Sequence, residues 1–104
     1  MYQRALISTG GSSLSPQQVY SGCVKSSSTL TYTINSTRHY IITTVLRVNG
    51  ADPRGGSWYI NEGVLTTLQQ DSTSSATVTL SGTRLSMKGG NASYNDEFRI
   101  IQLD

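Results

Sequence analysis

Apolar and small polar positions alternate along three stretches of this chain, and one side of each stretch gathers the larger residues: Leu30, Tyr32 and Ile34; Tyr40, Ile42, Thr44, Leu46 and Val48; Ala76, Val78 and Leu80. Successive side chains on a pleated strand point to opposite faces, so a period of two describes sheets buried on one side and wet on the other. The pattern predicts an all-β protein, with no stretch carrying a helical period.

Strands are expected over residues 2–7, 19–25, 29–34, 39–48, 57–61, 64–70, 76–80, 84–88 and 97–103, with the even-numbered positions of 39–48 on the core face. The segments between them are turn chemistry: Pro16 after a Ser/Gly run, Asn35-Ser36-Thr37, Asn49-Gly50 followed by Pro53 and Gly55-Gly56, and Ser81-Gly82-Thr83. Residues 49–56 are expected to form a loop. A bulge or turn at Glu62-Gly63 would let Trp58 and Ile60 share the core with the residues that follow. Ser81-Gly82-Thr83 makes 76–80 and 84–88 a hairpin.

The last segment is apolar on both faces, with Phe98 and Ile100 directed one way and Ile101 and Leu103 the other. Such a strand belongs inside a sheet or against a neighbouring subunit. Together the pattern predicts an antiparallel two-sheet β-sandwich, jelly-roll-like, of about eight short strands.

At 104 residues the chain fits one domain, 1–104, with a two-sheet core but no large internal pocket, so a ligand would bind on a face or at loops. Charged residues are only 13%, about half the usual share, and hydroxyls and amides supply the polar surface instead. The net charge of +2 is scattered, with no run that would track phosphates, so nucleic acid is not an expected partner. Cys23 is the single cysteine, which excludes an intrachain disulfide and a thiolate zinc site. It is expected as a small buried hydrophobe, with a reactive or intermolecular thiol as the alternative. The N-terminal residues lack the apolar core of a signal peptide, and no run is long enough for membrane insertion as a helix.

Chemistry-bearing residues are sparse: one histidine and six carboxylates, of which only Asp96 and Glu97 are adjacent. Neighbours on a strand face opposite ways, which makes that pair a poor acid and base. His39 has no second histidine at ligand spacing and falls on the solvent face of its strand. A G-x-S-x-G elbow is also missing. No enzyme, cofactor or metal site is therefore expected. The six tyrosines and one tryptophan carry more promise, because an aromatic ring joins a flat apolar face to a polar tip. Tyr32 and Tyr40 read as core. One of Trp58 and Tyr59 must face outward; Trp58 reads as core, with an exposed platform as its alternative. Thr29, Thr31, Thr33, Thr77 and Thr79 have the spacing of flat ice-binding faces, yet threonine is simply a strand former on a wet surface.

In its single cysteine, few charges, abundant Ser, Thr, Gly and Asn, and closing EFRIIQLD, the whole chain resembles the small β-rich appendage modules of tailed bacteriophages and prophages. The resemblance implies a non-enzymatic structural or receptor-binding module, virion- or tail-associated, found in the bacterial cytoplasm before assembly. It implies a homo-oligomer, a trimer favoured, that presents loops to a cell-surface glycan or protein receptor; in this chain the two-faced final strand, through Phe98, Ile100, Ile101 and Leu103, is the expected subunit contact, and loop 49–56 the expected receptor-facing loop. The alternative is a carbohydrate-binding module or bacterial surface adhesin domain, in which Trp58 or Tyr59 stacks on a sugar and Asn61 or Arg54 hydrogen-bonds its hydroxyls.

Overall fold

A computed structural model of the chain describes residues 16–46, 54–70, 76–90 and 93–104. They form eight strands: β1 (Gln17–Val24), β2 (Thr29–Thr33), β3 (His39–Leu46), β4 (Arg54–Asn61), β5 (Val64–Gln70), β6 (Thr77–Ser81), β7 (Arg84–Lys88) and β8 (Asp96–Gln102). Among the described residues there is no helix. The strand expected over 2–7 lies outside the described residues, as does the first part of the 49–56 loop.

The strands make two antiparallel sheets, one of five in the order β1-β8-β3-β4-β5 and one of three in the order β2-β7-β6. β1 pairs with β8 and β2 with β7, the outer nesting of a jelly roll; β6 departs from that plan by pairing with β7 in a local hairpin. Both two-residue hairpins have the backbone their sequences request. Glu62 and Gly63 take φ of 48° and 87°, the left-handed pair of a type I′ turn, and Gly82 at φ 61° opens a II′-like turn.

One sheet covers the other along the alternation read from sequence. Tyr40, Ile42, Trp58, Ile60, Phe98 and Ile100 of the five-stranded sheet meet Val78, Leu85 and Met87 of the three-stranded sheet in a single buried cluster. Trp58 and Phe98 lie side by side at its centre, ring centroids 6.4 Å apart. Leu30, Tyr32 and Leu80 pack against it, while Thr29, Thr31, Thr33, Thr77 and Thr79 stand exposed on the far side.

Three expectations are corrected. The loop expected over 49–56 is strand from Arg54 onward. Gly55 and Gly56 act there through lack of bulk: a Cβ on Gly55 would overlap the Thr44 carbonyl oxygen, and one on Gly56 would sit 2.6 Å from the Gln69 carbonyl oxygen. Cys23 is exposed, not buried. The register of β1 slips between Gln18 and Tyr20, so that Val19 and Tyr20 both pack against the core; Gly22 and Val24 then face inward opposite Phe98 and Asp96, and Cys23 falls outward opposite Glu97. Finally, Phe98 and Ile100, expected at a subunit contact, are fully buried in the molecule's own core, because β8 lies between β1 and β3, the interior place its two-sided pattern allowed. Neither can meet a neighbouring subunit.

Candidate binding face

Among the described residues, the outer face of the five-stranded sheet is left uncovered once the core is closed. Register aligns its side chains in rows that cross all five strands. Gln18 of β1 stands beside Ile101 of β8, Ile101 beside Ile41 of β3, Ile41 beside Tyr59 of β4, and Tyr59 beside Thr66 of β5. Ile101, Ile41 and Tyr59 are each half-buried, so the row is a continuous apolar strip with water on one side. The next row runs Ser21, Arg99, Thr43, Ser57 and Gln69.

Two polar contacts flank the strip, one ionic and one between His39 and a carboxylate. Arg99 donates from Nε and Nη2 to Glu97 Oε2, at 3.2 and 3.0 Å. Asp96, its neighbour, points the opposite way as the alternation requires; it is fully buried, and its Oδ2 accepts the Gly90 amide at 2.9 Å. No acid–base couple forms from the two.

At one corner of the face the chain brings His39 and Asp104 together, 65 residues apart in sequence. The Asp104 carboxylate spans the start of β3: Oδ1 accepts the His39 amide at 3.0 Å and Oδ2 lies 2.7 Å from His39 Nδ1. The Leu103 amide donates to the His39 carbonyl at 2.8 Å, which completes the clasp between the end of β8 and β3. Partial burial pushes the Asp104 carboxyl upward, but the His39 amide and ring, together with the Arg38 charge, outweigh it and hold the group below the ordinary aspartate value. His39 Nε2 faces Glu62 Oε2 at 3.7 Å. Both ring nitrogens are thus turned toward carboxylates and neither toward a hydroxyl, an arrangement unlike a Ser-His-Asp relay. The Tyr59 ring lies nearly parallel to the imidazole, at 19° with centroids 6.4 Å apart. Burial, then the charges of Asp104 and Glu62, raise its hydroxyl pKa.

The structure separates the residues expected to hold a ligand. Trp58 is 2% exposed and offers no face to a sugar, whereas Tyr59 lies half-buried on the outer side with the exposed Asn61 two positions on. Arg54 begins β4, at the far end of the strand from Asn61. Of the expected contact residues, Ile101 and Leu103 lie on the outer side and remain partly accessible. Sequence reasoning missed Ile41, Glu62 and Asp104. Ile41 was legible as the odd-numbered partner of a core strand; the other two join the corner only because β3 pairs with both β4 and β8. Among the described residues, no three His, Cys, Asp or Glu side chains form a group suited to a metal ion.

The fold defines an all-β two-sheet sandwich. Comparison with protein-family models, curated proteins and solved structures finds no match for the chain.

Proposed function

We propose that this chain is a non-enzymatic structural or receptor-binding module that self-associates, in a virion- or tail-associated setting of the kind its composition resembles. The supporting observation is the strip Ile101–Ile41–Tyr59. It is apolar and partly exposed, and the polar groups beside it already have partners in the Glu97–Arg99 ion pair and the His39–Asp104 contact. Depletion of free charge around aromatic and branched aliphatic side chains is the character of protein contact surfaces. Sedimentation velocity of the full chain across the micromolar range tests the reading: concentration-dependent association is expected, and a monomer at high micromolar concentration overturns self-association.

A second reading, carbohydrate binding, draws on the corner where Tyr59 sits beside His39, with the Asn61 amide and the Glu62 carboxylate exposed around it. A half-exposed ring flanked by amide and carboxylate groups suits a polyhydroxylated ring that stacks and donates. A glycan array in which native protein gives signal and Tyr59→Ala does not would favour it; a blank array removes it.

A further inference from the structure

We infer that β5 is a self-pairing edge, at which two copies of this chain join β5 to β5 antiparallel about a two-fold axis through Thr66. The inference rests on the self-association proposed above and adds an edge contact beside the strip. Among the described residues β5 has a hydrogen-bonded neighbour on one side only, so alternate amides and carbonyls along its free edge face outward. Its sequence, VLTTLQQ, contains neither a charge nor a proline, the usual devices that keep such an edge from recruiting another strand. It also carries two of the three large apolar side chains that stand exposed among the described residues, Val64 at 64% and Leu68 at 56%.

The register explains why a second copy, and not an unrelated strand, is the fitting occupant. An axis through Thr66 sets Val64 of each copy opposite Leu68 of the other, and Leu65 opposite Thr67. Each exposed apolar residue thereby meets one from the other copy, and the two-fold axis makes this self-complementary contact twice. Thr66 is also the end of the outer-face row, beside Tyr59. Pairing there runs the strip Ile101–Ile41–Tyr59 of one copy into that of the next and doubles the sheet. The slip of β5 against β4 falls at Leu68, the outer end of this stretch, and Val64–Thr67 keep an unbroken register with β4. β1, the other edge of the same sheet, is interrupted by its own slip at Val19 and bears no large exposed apolar side chain.

The test uses the full chain with Cys23→Ser as background, so that the exposed Cys23 thiol contributes no cross-link. Opposed residues of an antiparallel pair have Cα atoms about 4.5–5.5 Å apart, inside the range of about 4.4–6.8 Å that a disulfide spans. Thr66→Cys should therefore give a covalent dimer under mild oxidation, and Thr43→Cys, in the middle of the outer face, should not. Thr66→Lys should weaken association at least about tenfold in sedimentation equilibrium, because it opposes two like charges at the axis. Association that persists in Thr66→Lys, with no cross-link at Thr66, overturns the pairing and leaves self-association standing. A native chain that is monomeric throughout overturns both. Should the lysine variant fail to fold, the cysteine variant decides alone.

Discussion

The two faces of the five-stranded sheet are made from neighbouring residues of the same strands, yet they meet different environments. On β4, Trp58 is sealed at 2% exposure while the next residue, Tyr59, is half in water; on β8, Ile100 is fully buried while Ile101 is not. The cause is the three-stranded sheet, whose Val78, Leu85 and Met87 close over one face, while none of the described residues closes over the other. Apolar residues on the closed face hold the fold together. On the open face they do not have that task, and isoleucine and tyrosine in a row across β8, β3 and β4 are better explained by something that covers them.

The two faces differ most in stability at β8. Phe98→Ala removes a fully buried ring beside Trp58 and should cost about 3–5 kcal/mol in chemical denaturation, whereas Ile101→Ala, three residues on, should cost about 1 kcal/mol or less. Equal losses would contradict the assignment of faces.

Thr44 sharpens the closed face. Its hydroxyl is buried and makes no hydrogen bond. Thr44→Val keeps the shape and removes the unmet oxygen, so the melt should rise by about 1 kcal/mol of stability; a loss would mean the hydroxyl has a partner in solution.

On the open face the Asp104–His39 clasp gives a pH signature. A carboxyl whose folded pKa is lowered stabilises the native state wherever it is ionised in both states. That contribution is complete above the ordinary aspartate value, about 3.9, and disappears as pH falls through the lower folded value. Native protein should therefore lose stability below about pH 4 more steeply than Asp104→Asn, as read from melts across the acid range. Parallel curves would show that the clasp does not form.

The smallest effect is expected at Cys23. Cys23→Ser should change stability by no more than about 0.5 kcal/mol, and a thiol reagent should label the native chain as fast as the unfolded one.

The closed face was legible from sequence wherever alternation ran unbroken. Leu30 and Tyr32 on β2, Tyr40 and Ile42 on β3, and Val78 on β6 all turn inward as their period of two predicts. The hairpin at Ser81-Gly82-Thr83 and the turn at Glu62-Gly63 were legible too, because glycine at positive φ is local chemistry. What was not legible depends on slips and on long-range pairing. The slip at Val19 resets which residues of β1 face inward, and the usual burial of cysteine then misleads about Cys23. The two-sided apolar pattern of β8 allowed an interior strand or a subunit contact; its placement between β1 and β3 shows the first, and the partly accessible Ile101 leaves the second a proposal. His39 read alone as a solvent-facing imidazole; its carboxylate partner lies at the other end of the chain and is brought to it by the β3–β8 register.

Trp58 is the only tryptophan, so its fluorescence reports on the closed face alone. The account predicts blue-shifted emission that acrylamide barely quenches in native protein and quenches freely once the chain is unfolded. Red-shifted native emission, quenched like free indole, would place Trp58 on the open side of β4 and contradict the division of the sheet into a sealed face and an open one.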